Sequence, residues 1–393
     1  MRRPSGLRAV GLAALALAGV AAVTGTLLSF SNGGSRPLRA APLPPVYLTI
    51  ITHNEEPLDG RVDYTADVNY YLQNRALLKT LAQTITSRGA TYNFESDWNY
   101  LQAVAMYDVG SVTDNTAGKN IVRWMKEDLG VEVDPHAHET QYNYADVAYL
   151  IEQLGVTPSK NVGGFLYDPA DNSQGWEQHA NGVYGWVYPS YFWRADHLWG
   201  AGTYQHQGND DHSSGIWRPH DRYNFYVDDP NQRLLYIGGC SSRPGLERLL
   251  SDIETGRAPA DGFYTANLAV PPQDWMTQSD IAQLGSYIDS LAPYVAQGRV
   301  RWVTLTEMAD LWRTQYGSRP FRYDCAAGTG TPVPTPALTP GSVGGIAELP
   351  DPAGSPRTAS RSAPFNDGLV PAALGAALIA AVGLWYARRR WLR

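Results

Sequence analysis

The chain predicts an α/β fold, a distorted (β/α)7-8 barrel that carries a long aromatic-rich insertion and is flanked by N- and C-terminal transmembrane helices. Three observations predict it. Short apolar strands alternate with amphipathic helices, the pattern of a parallel sheet. The turn after the first strand reads His53-Asn54-Glu55-Glu56, where a dinucleotide fold would place a glycine-rich phosphate turn. Two uncharged apolar runs, Ala9–Leu28 and Leu369–Tyr386, bracket the rest.

Residues 1–30 form a signal anchor or signal peptide: Arg2, Arg3 and Arg8 precede an apolar run near the ~20 residues that span a bilayer. Leu27, Leu28 and Phe30 stand where small residues would mark cleavage, which favours an anchor. Residues 31–45 are a spacer, and residues 46–325 are the folded domain. Residues 326–366 form a Pro/Thr/Gly-rich stalk that includes Thr331-Pro332-Val333-Pro334-Thr335-Pro336. Residues 369–386 are a second membrane helix, and 387–393 a basic tail with Arg388, Arg389, Arg390 and Arg393. Basic flanks stay on the cytoplasmic side, so both ends are expected inside and the domain extracytoplasmic at the cell membrane. The only two cysteines, Cys240 and Cys325, then lie in an oxidising compartment and are expected to pair.

Within the domain, Val46–Thr52 is a buried-strand run. It is followed by a helix over about Val68–Ser87, with apolar positions Val68, Tyr71, Leu78, Leu81 and Ile85, an N-cap at Asp67 and a stop at Gly89. Further strands are expected near Ala90–Phe94, Val131–Val133, Val162–Leu166, Leu234–Ile237, Gly262–Val270 and Val300–Thr304. Helices are expected near Trp98–Met106, Lys119–Leu129, Tyr144–Leu154 and Asp280–Val295. The insertion, about 168–225, is crowded with Trp, Tyr and His, suited either to stacking on sugar rings or to packing a subdomain.

Charged residues make up 18% of the chain, beside 12 Trp and 24 Tyr, so it buries a core rather than remaining disordered. A net charge of −7 and no internal Lys/Arg run exclude nucleic acid as an expected partner.

The chemistry concentrates at strand ends. His53 and Glu55 follow the first strand, Glu95 and Asp97 the second, and Asp134, His136, His138 and Glu139 the third. Side chains alternate along a strand, so each x-separated pair shares a face, and the C-terminal ends of parallel strands are where barrel enzymes build their sites. Two histidines with a carboxylate suit a divalent metal, expected to be Zn²⁺, with an open position for water. His136 and His138 are the strongest ligand candidates. Asp97 also reads as the N-cap of the following helix. Asp210, Asp211 and His212 are secondary candidates for a further ligand.

The stretches ITHNEE, VEVDPHAHE, DVAYLIEQLGVTPSKNVGGFLY and RVRWVTLTEMADLW resemble the polysaccharide deacetylase superfamily, also grouped as the glycoside hydrolase/deacetylase barrel, over Val46 to about Tyr316. The resemblance implies His136 and His138 as metal ligands, though spaced His-x-His rather than His-x-x-x-His. His53 is the implied third ligand and Glu55 the implied catalytic carboxyl, where the family has paired Asp after its first strand; Glu95, at the end of the second strand, is the other candidate catalytic carboxyl. Its Arg-x-Pro segment has no counterpart after the fourth strand. Trp98, Trp217, Arg218 and His220 are candidate substrate contacts. The implied function is hydrolysis of a polysaccharide N- or O-acyl group. Glycoside hydrolysis by paired carboxylates and non-catalytic glycan binding are the alternatives.

Overall fold

The structure is a computed structural model that describes residues 43–55, 62–138, 140–163, 176–200, 212–326 and 328–330. Both terminal apolar runs and most of the stalk lie outside these residues. Among the described residues no helix is long and apolar enough to cross a membrane.

The fold is mixed α/β with a parallel sheet. Strands β1 (Val46–Asn54), β2 (Tyr92–Ser96) and β3 (Glu132–Pro135) form one sheet with β10 (Tyr264–Val270) and β11 (Val300–Trp302), all parallel; β1 pairs with β10, β11 and β2. A second, mixed sheet holds β4 (Asn161–Val162), β7 (His197–Trp199), β8 (Ser213–Trp217), β9 (Leu235–Gly239), β12 (Tyr323–Asp324) and β13 (Thr329–Gly330). In it, β4, β7 and β9 are parallel and β8 runs antiparallel to β9. A separate hairpin joins β5 (Val183–Tyr184) to β6 (Phe192–Trp193). The expected single barrel ladder is therefore divided into two sheets. Thr265 of β10 bridges them: its hydroxyl accepts from Gly215 N at 2.7 Å and donates to the carbonyl of Gly238 at 2.5 Å.

β1 is buried on both faces, as its unbroken apolar run requires. Tyr47 and Ile51 meet Trp199, Ile216, Leu235 and Ile237 of the second sheet in one core cluster. Leu305, Met308 and Trp312 of the last helix complete that cluster. The insertion is largely core: Trp176, Trp193, Trp199 and Trp217 are all buried, and two of its segments are strands of the second sheet. Among the described residues these four rings pack in the interior, whereas Tyr184, Trp186, Phe192 and Tyr223 are exposed.

The helices around the sheets are α1 (Val68–Thr86), α2 (Trp98–Tyr107), α3 (Ile121–Leu129), α4 (Tyr144–Gln153), α5 (Trp176–Asn181), α6 (Arg243–Glu254), α7 (Gln278–Ser290), α8 (Ala292–Ala296) and α9 (Leu305–Gln315). Asp67 caps α1 by accepting from Asn69 N and Tyr70 N, and α4, α7 and α9 each begin with a capping box. The helix expected over Asp280–Val295 is two. Pro293 lies in the first turn of α8, where its missing N–H costs nothing, whereas inside a helix it would break the ladder. Cys240 and Cys325 are joined in a disulfide with their Cα atoms 5.8 Å apart.

Candidate metal centre

The parallel register brings the strand-end residues together. His53 of β1 lies opposite Glu95 of β2, and Glu95 opposite Asp134 of β3. Backbone bonds extend the ladder past the strands: Asp97 N donates to Asn54 O at 3.1 Å, and His136 N to Ser96 O at 2.9 Å. His136, two residues beyond Asp134, projects on the same side.

His53 Nδ1 is 3.0 Å from Glu95 Oε2, and His136 Nδ1 is 3.8 Å from the same oxygen. His136 Nε2 lies 3.1 Å from His138 Nε2. Two donor groups result, His53/Glu95/His136 and Glu55/His136/His138, each with its ligand atoms within 4.8 Å of one another. His136 belongs to both. Nitrogens bound to one tetrahedral ion at about 2.0–2.1 Å lie roughly 3.3 Å apart, so the His136 and His138 spacing fits a shared cation. Imidazole with carboxylate is also a donor set that zinc accepts.

The carboxyl groups beneath support the same conclusion. Glu95 is fully buried. Its Oε1 accepts the indole N–H of Trp199, and a side chain at Gly163 would collide with its carboxyl. Burial holds the Glu95 carboxyl well above the usual carboxylate range, the charge of Asp134 adds to this, and the Trp199 bond opposes it. Asp134 is pushed up to about 7, by burial first and then by Glu132, against hydrogen bonds from Ser159, Asn93 and Asn161. Asn93 Nδ2 donates to both Glu132 and Asp134, at 2.8 Å each. Among the described residues no Lys or Arg pairs with these three carboxyl groups. A proton or a bound cation must balance them, because unpaired buried charge is strongly disfavoured.

Asn161 completes this polar layer. Its Nδ2 donates to Asp134 at 3.0 Å, while its Oδ1 accepts from His197 Nδ1 at 2.7 Å. Arg313 donates to His197 Nε2 at 3.1 Å, which fixes the neutral Nδ1–H tautomer. Barrel interiors are commonly filled by branched apolar side chains; here a hydrogen-bonded layer supports the residues above it.

The other sequence candidates fall as follows. Glu55 and His138 are half-buried at the rim. Glu95, expected as a catalytic carboxyl, is fully buried and lies within reach of His53 and His136. Asp97 caps α2 through Tyr100 N at 3.0 Å. Trp98 is half-buried and stacks on Tyr142, with centroids 4.8 Å apart. Trp217 is fully buried, with its N–H on Phe225 O at 2.7 Å, and so offers no face to a ligand. Because β8 is antiparallel and Trp217 pairs with Tyr236, the chain leaves it toward the N-terminal ends of the parallel strands. Arg218 and His220 thus belong to the opposite end, where Arg218 pairs with Asp228 at 2.7 Å and His220 with Asp229 at 3.0 Å. Glu139, Asp210 and Asp211 lie outside the described residues, and His212 is exposed. Gly163 and Asn161 carried no signal for this site, and Trp199 and His197 stood out only as members of the aromatic and histidine-rich insertion. Asn93 and Asp134 did, each two residues before a site residue on its own strand.

No family model matches the chain, and no curated protein matches it. Two solved structures are similar. One is a glycoside hydrolase/deacetylase candidate from Parabacteroides distasonis, 14% identical, with 70% of this chain and 73% of that chain covered and a TM-score of 0.41. The other is a 4-alpha-glucanotransferase from Thermococcus litoralis, 10% identical, with 69% of this chain and 40% of that one covered and a TM-score of 0.35. The chemistry below rests on this chain's own residues.

Proposed function

We propose that the chain is a metal-dependent hydrolase of carbohydrate acyl groups, built on a distorted β/α barrel and held outside the cell membrane by its terminal apolar runs. One observation carries the reading: His53, Glu95, His136, His138 and Glu55 come together at the C-terminal ends of adjacent parallel strands, within two overlapping donor groups. His136 and His138 would hold the ion, with His53 or Glu55 as the third ligand. A zinc ion there supplies positive charge to polarise an acyl carbonyl and acidify a water. Glu55, half-buried at the rim, is positioned to take the proton, and Glu95 with Asp134 balances the ion's charge from below. Glycoside hydrolysis is less well served, because it needs two carboxyls that both reach the sugar bond and Glu95 is fully buried.

The test measures metal content and acetate release by the purified protein on acetylated chito-oligosaccharide, xylan and peptidoglycan. Acetate release without new reducing ends, lost on chelation and restored by zinc, is expected. An unchanged metal stoichiometry in the His136→Ala/His138→Ala protein would sink the metal centre. Glycan binding without turnover would instead leave a binding protein.

A further inference from the structure

One buried carboxylate closes the turn of the β5–β6 hairpin. Asp146, fully buried at the start of α4, accepts from three successive backbone N–H groups of the hairpin turn: Trp186 at 2.9 Å, Val187 at 3.0 Å and Tyr188 at 2.9 Å. It also accepts from Asn143 N at 3.0 Å. A side chain at Gly185 would collide with this carboxyl, so glycine is required where the turn closes on it. On the inner side Tyr188 and Tyr191 pack on Tyr149 of α4, and Tyr191 donates to Glu152 at 2.6 Å.

This anchoring leaves the other rings outside. Tyr184 is 61% exposed, Trp186 55% and Phe192 48%, and Tyr184 and Phe192 meet edge to face at 5.2 Å. Large apolar side chains so fixed and so exposed mark a binding surface. The hairpin is tied to the chain segment between β3 and α4, the segment that begins with His136 and His138. Asn143 Nδ2 donates to Tyr184 O at 2.8 Å, and the neighbouring Tyr142 stacks on Trp98, which directly follows Asp97. Asn143 lies five residues after His138 in the sequence, and Asp146 follows in the first turn of α4.

We propose that Tyr184, Trp186 and Phe192 form an outlying subsite for a polymeric glycan whose reacting unit lies at the metal centre, so that the substrate is a chain of several sugars. The proposal rests on the carbohydrate reading and extends it. The Tyr184 and Trp186 rings pair an apolar face with a polar edge, as do sugars with their apolar faces and hydroxyl edges, and Phe192 adds a third apolar face beside Tyr184.

The experiment uses the full-length His136→Ala protein, so that binding is read without turnover. It compares that protein with a form also carrying Trp186→Ala and Phe192→Ala, on glycol chitin, acetylxylan and the matching disaccharides. Loss of two stacking rings should weaken polymer binding about tenfold and leave disaccharide binding and the melting temperature unchanged. In the active background the same pair should raise KM on polymer and spare kcat. Equal polymer affinity in the two proteins overturns the subsite while leaving the carbohydrate reading standing. No binding of any glycan by either protein overturns both. With full-length protein in nanodiscs, quenching by brominated lipid that drops in Trp186→Phe below the level set by Trp385 and Trp391 would place the tip in the bilayer and overturn the proposal.

Discussion

His197 offers a quantitative check on the polar layer beneath the site. It is 4% exposed, and its pKa is lowered to about 3 by burial, with Arg313 and Arg233 adding to the effect. The unfolded chain has an ordinary histidine of pKa 6.5. Between these values the unfolded state takes up a proton that the folded state refuses. Stability from this group is therefore complete above about pH 6.5 and falls as pH drops, by about 1.36 kcal/mol per unit. The loss is about 2 kcal/mol at pH 5. Glu95 and Asp134 act in the opposite sense, because their folded pKa values are raised and the stability they contribute declines as pH rises. The two effects separate by comparing wild type with His197→Gln, since the carboxyls are common to both. Urea unfolding at pH 7 and pH 5 should show the stability gap between the two proteins shrinking by about 2 kcal/mol at the lower pH. A gap that stays constant would refute a neutral, buried His197.

Three further outcomes are expected. His136→Ala removes the donor shared by both groups; a structural zinc site of four ligands binds with about 10–16 kcal/mol, so one lost ligand should weaken zinc roughly 100- to 1000-fold in chelator competition, while Arg218→Ala should leave zinc affinity unchanged. Gly163→Ala forces a methyl group against Glu95; overpacking of about 1–3 kcal/mol should lower the melting temperature by several degrees and weaken the metal, and an unshifted melting curve would contradict the packing around Glu95. Replacing Cys240 and Cys325 with Ser releases a loop with a sequence separation of 85; chain entropy sets an upper expectation of about 4.5 kcal/mol, read by urea unfolding against the oxidised, disulfide-bonded wild type.

The elements legible in the sequence were those with a local cause. The apolar run of β1, the Asp67 cap of α1 and the helical span of α4 act over a few positions, and the structure places them within two or three residues of expectation. Helix α6, absent from the expected helices, carries comparable local signals: Ser242 caps it, Pro244 lies in its first turn, and Leu246, Leu249, Leu250 and Ile253 share its buried face. The break before α8 was likewise written in Pro293.

The sequence by itself determined that His53, Glu95 and His136 sit at strand ends with their side chains on one side, because alternation along a strand and the direction of β/α units are properties of short segments. Only the tertiary structure decided what surrounds them. Trp199 and Gly163 enclose Glu95, and His197 and Asn161 support Asp134, through packing of a second sheet whose strands are distant in sequence. The same packing reversed β8, buried Trp217 and sent Arg218 and His220 to the far end. Strand direction and register across such distances follow from how two sheets share one core, and no local pattern encodes that.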